Sequence, residues 1–243
     1  MSKFTRPRHQ LVMRILSLLS PAFLEDAHCY FGGGTRIVMA LGEYRESADI
    51  DLLCADRAGY RALRSTVTQN SLGRIAKGKI ALAREVIADR YGIRTFIEIA
   101  EQKIKFEIIH EARIDISGGG HGEFPVPALD PVSCFAEKFL ANADRWSDES
   151  TLNRDIVDLA FMVAGWSSAD ADGGRKTAAQ AYGRAVNESV RKAVKKLRGH
   201  KQYLRRCIAG LRVSDPRTLG RGLEKLAAMR VRADRVIGQN GSG

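Results

Sequence analysis

The chain is short of several things that would assign it quickly. Its 243 residues hold four cysteines, Cys29, Cys54, Cys134 and Cys207, all far apart. They form no CxxC pair, and no histidine stands at zinc-finger spacing, so a zinc site or a disulfide framework is not expected. Each reads as a buried, reduced thiol. No run of eighteen apolar residues occurs, which excludes a helical membrane span. The opening "MSKFTRPRHQLVMRILSLLSPAF" is basic and then apolar, as a signal peptide would be. Arg14 splits its apolar part, Glu25 and Asp26 follow, and no small-residue cleavage site stands out. It reads as an amphipathic helix, with the cytoplasm as the expected location. The GxxxxGK[ST] spacing of a P-loop is missing as well.

Negative charge is scarce in one place. The net charge is +11, yet residues 170 to 243 hold 18 Lys and Arg against six Asp and Glu, while the first 169 residues hold 21 against 22. The whole excess therefore lies in the last third. It reads either as solvated helix faces or as a polyanion-binding surface. Aromatics are sparse there, Tyr182 and Tyr203 only. That favours phosphate contact over base stacking.

What is present divides into two halves. Residues 9–20 read as an amphipathic helix ended by Pro21. Residues 27–31 read as a strand running into glycines, 36–42 as a helix stopped by Gly42, 49–55 as a strand and 57–70 as a helix. A hairpin is expected over 93–100 and 103–110, turning at Glu101 and Gln102. "SGGGHGEFPVPALDP" (117–131) is a glycine- and proline-rich break, so a boundary is placed there, with domains at 1–128 and 129–243. Helical periodicity follows. Phe135, Ala136, Phe139, Leu140, Ala143 and Trp146 form one apolar stripe, and Leu152, Ile156, Leu159, Ala160 and Val163 form another. Further helix candidates cover the stretch from Ser168 to His200, then 201–209 and 216–232. The tail "GQNGSG" is expected to be disordered. His28, His110 and His121 have no ligand spacing.

The chemistry concentrates in "FGGGTRIVMALGEYRESADIDLLC" (31–54). Asp49 and Asp51 stand at i and i+2 on an expected strand, so both carboxylates point to one face. Like charges that close need a cation or a proton between them. Mg²⁺ suits carboxylate and phosphate oxygens. The plainer alternative is an edge strand with one polar face. Gly33 and Gly34 follow a strand and precede a helix beginning near Thr35. A turn without side chains brings backbone N–H groups and a helix N-terminus to a phosphate. Glycines, a short helix and then DxD on the next strand together place a phosphate cradle beside a metal-binding carboxylate pair.

These motifs resemble the nucleotidyltransferases of the DNA polymerase β superfamily, and more closely the AbiEii-type toxins, a group that includes the MenT tRNA-modifying toxins. The resemblance runs from about residue 28 to 165. It rests on Gly33, Gly34 and Thr35, on Arg45, Ser47, Asp49 and Asp51, and on Lys138 in "SCFAEKFLANADRW" with Asp155 and Asp158 in "NRDIVDLAFM". It implies an α+β fold, a polymerase-β-like domain with a small mixed sheet followed by an all-α domain. It also implies two-metal transfer of a nucleotide from an NTP, with two Mg²⁺ (or Mn²⁺) ions held by Asp49, Asp51 and a third acid. Glu107, preceded by Lys105 and Phe106, matches the family pattern for that acid better than Glu98. Lys138 is implied as a catalytic residue. Gly33, Gly34, Thr35, Arg36, Arg45, Ser47, Arg145, Asp155 and Asp158 are implied as nucleotide contacts.

Each of the later residues also has a plainer reading. Lys138, Asn142 and Arg145 share one helix side, which could be a solvated face. Arg154 could pair with Asp158 at i,i+4. Arg36 and Arg45 could be surface charges. The resemblance implies an RNA acceptor, tRNA in the related toxins, and an antitoxin partner. The same enzyme acting on a protein side chain or a small molecule, and a non-catalytic nucleic-acid-binding module, are the rival readings. A cationic aminoglycoside is disfavoured by the basic third.

Overall fold

The computed structural model describes residues 3–120 and 122–239. His121 and the end of the expected disordered tail, 240–243, lie outside the described residues. The chain folds as two compact units. One takes in the residues up to Glu43 together with Ser47–Cys134. The other takes in Tyr44–Glu46 and the chain from Phe135 onward.

The first unit begins with α1 (Pro7–Leu18) and α2 (Pro21–Asp26). Each has proline in its first turn, where the missing N–H costs nothing. Pro21 ends one helix and opens the next, so the sequence pattern that stopped at Pro21 missed α2. Next come β1 (Cys29–Gly32), α3 (Gly33–Ala40), β2 (Ile50–Cys54) and α4 (Arg57–Thr66). Asp56 caps α4 by accepting from the backbone N–H groups of Ala58 and Gly59. Then follow β3 (Ile87–Ala88), β4 (Gly92–Ile99) and β5 (Gln102–His110). The β4–β5 hairpin turns through Ala100 and Glu101, both left-handed, at φ 48° and 58°.

The glycine- and proline-rich stretch does not stay irregular. It supplies β6 (Gly118–Gly119) and β7 (Ala128–Leu129) to the same sheet. The strand order is β3-β4-β5-β2-β1-β7-β6. The sheet is mixed, because β2 runs parallel to β5 and β1 parallel to β7 while the other neighbours are antiparallel. Strand alternation sorts the two faces. Ile50, Leu52, Ile104, Phe106 and Ile108 are fully buried and share one core with Val12, Ile15 and Leu16 of α1. Asp51 and Glu107 fall on the alternate positions and are half-buried.

The second unit is helical. It has α5 (Pro131–Arg145, its first turn counted with the first unit), α6 (Arg154–Gly165), α7 (Ser168–Tyr182), α8 (Ala185–Gly199), α9 (Lys201–Gly210) and α10 (Pro216–Gln239). α6 is buried nearly all round, with Ile156, Val157, Leu159, Ala160 and Met162 inaccessible to solvent. α10 packs on it at Gly222, where an added Cβ would stand 2.1 Å from the Ala160 carbonyl oxygen. Tyr44–Glu46 is stitched into this unit. Glu46 N–H donates to Leu211 O at 3.2 Å, Ser214 N–H donates to Tyr44 O at 2.8 Å, and the Tyr44 and Phe161 rings stack at 3.9 Å. Among the described residues no helix is long and apolar enough to cross a membrane.

Candidate active site

In the first unit, three neighbouring strands deliver their polar residues in one row. Gly32 of β1 stands opposite Asp51 of β2, and Asp51 stands opposite Glu107 of β5. Residues paired in this way project to the same face of a sheet. Asp49 lies one residue before β2, two positions from Asp51, and is exposed. The expected strand therefore starts one residue late, and Asp49 sits on extended chain at its entrance. Glu98 belongs elsewhere. It is exposed on β4, opposite Lys103, four register steps along the hairpin from Glu107.

The glycines explain how Asp51 is seated. Gly33 has φ 66°, in the left-handed region that glycine tolerates, and a Cβ there would lie 2.3 Å from Asp51 Oδ2. The turn from β1 into α3 is thus built directly against the carboxylate. Helix α3 begins at Gly33 itself, two residues before the expected start at Thr35. The first-turn N–H groups of Gly33, Gly34 and Thr35 have no partner within the helix and form its positive end. Gly32 has a steric role: a Cβ would meet Leu53 Cδ1 at 2.4 Å and Leu129 Cδ1 at 2.7 Å. Thr35 Oγ1 and Ser47 Oγ are hydrogen-bonded at 2.9 Å, joining the start of α3 to the approach to β2. The Arg36 guanidinium lies 6.0 Å from the Phe124 ring centroid.

The donors in this row suit a hard divalent cation. Among the described residues no three or more His, Cys, Asp and Glu side chains are gathered closely enough to hold a metal by themselves. An ion carried on a triphosphate needs only one or two protein carboxylates. Asp49 and Asp51 are the residues that would hold it. The Glu107 carboxylate is held by cations from its own sheet, with Lys105 Nζ on one oxygen and Arg94 Nε 3.5 Å from the other.

In the second unit the structure gathers five of the expected residues into one buried ionic network. Arg45 grips Asp158 with two bonds, Nε to Oδ1 at 2.7 Å and Nη2 to Oδ2 at 2.8 Å. Tyr44 adds its hydroxyl to Asp158 Oδ1 at 2.7 Å. Lys138 Nζ bridges Asp155 Oδ1 at 3.0 Å and Asp158 Oδ2 at 2.8 Å. Arg145 holds Asp155 through Nε at 2.5 Å and Nη2 at 2.9 Å. Burial alone would raise the Asp158 carboxyl, but Arg45 and Lys138 outweigh it and hold it below its ordinary range. Burial would likewise lower Lys138, but the two aspartates outweigh it and keep the ammonium charged.

The plainer readings of these residues do not hold. Lys138 is 6% exposed and Asn142 1%, so their helix side is not a solvated face. Asn142 Nδ2 donates to Ser189 Oγ at 3.1 Å. Asp158 takes its cations from Arg45 and Lys138 rather than from Arg154. Arg45 is 4% exposed and is no surface charge. Sequence reasoning missed Tyr44. Its signal was an aromatic beside the motif arginine, and its partner lies 114 residues away in sequence.

A glycine turn against a strand aspartate, with a second acid alongside on the neighbouring strand, fits a nucleotidyl-transfer fold. Two solved Helicobacter pylori structures have a similar fold. JHP933 is 15% identical with a TM-score of 0.52, covering 98% of this chain and 99% of its own. A second protein, assigned to the nucleotidyltransferases, is 16% identical with a TM-score of 0.50 and 97% coverage of both chains. No curated protein matches the chain. The family "Nucleotidyl transferase AbiEii toxin, Type IV TA system" matches residues 14–225. The chain belongs to the AbiEii family and is a nucleotidyltransferase of the toxin–antitoxin class.

Proposed function

We propose that the chain transfers a nucleoside monophosphate from an NTP to a hydroxyl of an RNA, the 3′ end of a tRNA, and that this is the toxic activity an antitoxin restrains. The observation that carries the reading is Gly33 seated against Asp51, with Glu107 paired to Asp51 on the next strand. A glycine turn at a helix N-terminus stands against one carboxylate, with a second carboxylate in register beside it. Asp49 and Asp51 would hold Mg²⁺, or Mn²⁺, brought with the triphosphate. When bound, such ions supply charge neutralisation at the phosphates and a lowered pKa at the attacking hydroxyl.

The chain's own part is positioning. The N–H groups of Gly33, Gly34 and Thr35 orient phosphate oxygens. Ser47, through Thr35, fixes the distance between that turn and β2. Arg36 adds positive charge on the same helix. Glu107 either joins the metal ligands or keeps Lys105 and Arg94 close to the reacting phosphates. In the second unit Lys138 supplies the charge that lets Asp155 and Asp158 stay buried one helical turn apart. Arg145 is the most exposed member of that ionic network, with 36% of its side chain accessible, and is the one of the network's cations that a nucleotide phosphate would reach.

The acceptor follows from charge. The excess of Lys and Arg after residue 170 suits a polyanion and repels a cationic drug. The test is incubation with each of the four labelled NTPs, Mg²⁺ and total RNA. Label on tRNA that disappears with Asp51→Asn supports the reading. Label on protein or small molecules with none on RNA overturns the choice of acceptor.

A further inference from the structure

Resting on the RNA-acceptor reading above, we propose that the face of α8 and α9 around Tyr203 binds the phosphodiester backbone of the RNA, and that the chain's own Glu149 occupies this place in the free protein. The face is a cavity of about 550 Å³, lined by Glu149, Lys196, His200, Gln202, Tyr203 and Arg206. Cations stand over the Tyr203 ring: Lys196 Nζ is 4.6 Å and the Arg206 guanidinium 4.8 Å from its centroid. The ring is anchored, because its hydroxyl donates to Asn153 Oδ1 at 2.7 Å and Asn153 in turn donates to the Trp146 carbonyl at 2.6 Å. One turn earlier on α8, Lys192 lies 5.3 Å from the Trp146 ring centroid. Two levels of cation over an aromatic ring thus line up along one helix, the combination of charge and flat apolar surface that suits a nucleic-acid strand.

Glu149 identifies the ligand chemistry. Its two oxygens accept from Lys196 Nζ, at 3.0 Å, and from the Arg206 guanidinium. Ammonium and guanidinium aimed at adjacent oxygens of one anionic group is a geometry a phosphodiester also satisfies. Glu149 belongs to a three-residue 3-10 turn (Glu149–Thr151), and its side chain is half exposed, so it is displaceable. No aliphatic side chain lines it, so an acidic peptide helix has no aliphatic floor on which to lay an apolar face. That favours RNA over an acidic protein partner.

The experiment is fluorescence anisotropy of labelled total tRNA with the full-length protein, without NTP, at a series of salt concentrations. Glu149→Gln should bind several-fold tighter, because the competing charge is gone. Lys196→Ala with Arg206→Ala should bind more weakly. Its log-affinity against log-salt slope should be shallower by about 1.4 to 1.8 for two lost phosphate contacts. Circular dichroism confirms that both variants fold. If folded Glu149→Gln binds no tighter, or the double variant keeps the wild-type slope, the proposal is wrong. It is equally wrong if polyglutamate displaces tRNA as well as unlabelled RNA does at equal charge. These outcomes are separate from those of the labelling assay. Wild-type protein that binds tRNA but labels none would overturn the acceptor, whereas labelling unaffected by the double variant would overturn this site alone.

Discussion

Replacing Asp158 by leucine should destabilise the second unit far more than replacing its partner Arg45 by methionine. Asp158 is inaccessible to solvent and receives the Tyr44 hydroxyl, two bonds from Arg45 and one contact from Lys138. Its removal strands a buried guanidinium, and breaking a buried pair in this way costs about 3–5 kcal/mol. Removing Arg45 instead leaves Asp158 with Lys138 at 2.8 Å and Tyr44 at 2.7 Å, so the loss is nearer the value of its charged hydrogen bonds, about 1.5–3 kcal/mol. The double variant should be no less stable than Asp158→Leu, since the stranded charge has gone with its partner. The chain is well suited to the measurement, because its two tryptophans, Trp146 and Trp166, both lie in the second unit. Urea unfolding followed by tryptophan fluorescence therefore reports on that unit. The pH dependence has a fixed sign. A carboxyl held below its ordinary 3.8 adds stability that is complete above that value and is lost as the pH falls beneath it. A cost below about 1 kcal/mol for Asp158→Leu would refute the reasoning, since no buried pair breaks so cheaply. A larger cost for Arg45→Met than for Asp158→Leu would refute the asymmetry.

Four further outcomes follow from the first unit. Gly33→Ala places a side chain at φ 66° and within 2.3 Å of Asp51 Oδ2. It should cost about 1–2 kcal/mol in thermal stability and, by displacing the carboxylate, about 100-fold in nucleotide transfer; full activity would contradict the seating of Asp51. Glu107→Ala should abolish labelling with the fold intact by circular dichroism, while Glu98→Ala, opposite Lys103 on the outer strand, should not; the reverse result would move the third acid to Glu98. Asp51→Glu should lose more activity than Asp49→Glu, because Asp51 is confined between Gly33 and the β5 register whereas Asp49 is exposed chain ahead of the strand; equal losses would mean both are held alike. Glu43 accepts from Thr5 N–H and Oγ1–H and from Arg6 N–H, and lies against His9 Nδ1. Burial alone would raise its carboxyl, but these hydrogen bonds bring it down to about 2, so its stabilisation is complete above 4.5 and is lost as the pH falls towards 2. Urea midpoints by far-UV circular dichroism should therefore fall more steeply with acid in the wild type than in Glu43→Gln, and parallel curves would exclude the effect.

The legible parts of the chain were those fixed by local periodicity. The alternation in 92–110 gave the hairpin, and the helical stripes around Phe139 and Leu159 gave α5 and α6, because burial there repeats every two residues or every three to four. The DxD pair and the following apolar run marked β2. What local pattern does not encode is register and distant pairing. Nothing near Asp51 in sequence says that Glu107 lies beside it; that follows from a parallel pairing of β2 with β5 across more than fifty residues. Two-residue strands such as β6 and β7 have no period to read, so local pattern showed no strand in the glycine- and proline-rich stretch. Asp155 and Asp158 were visible, as were Arg45 and Lys138. Their mutual neutralisation was not, since Arg45 and Asp158 are 113 residues apart.

That distinction between charge present and charge available bears on how the chain divides its work. Arg45 and Lys138 are cations that motif reading places on the nucleotide. In the fold both are committed to buried aspartates, and an ion taken out of water is released from such a pair only at a cost of several kcal/mol. They are better suited to hold a shape than to exchange ligands in each turnover. The cations of α8 and α9 are in the opposite condition. Lys192 and Arg206 are exposed, and Lys196 and Arg206 pair with a half-exposed glutamate, where solvent screens the attraction. A polyanion can displace such a partner readily and release counterions as it does so. The acids of the first unit stand between these extremes. Asp49 is exposed and Asp51 half-buried. On the proposed reading, burial together with pairing, rather than residue type, separates the charges offered to ligands from the charges that hold the fold.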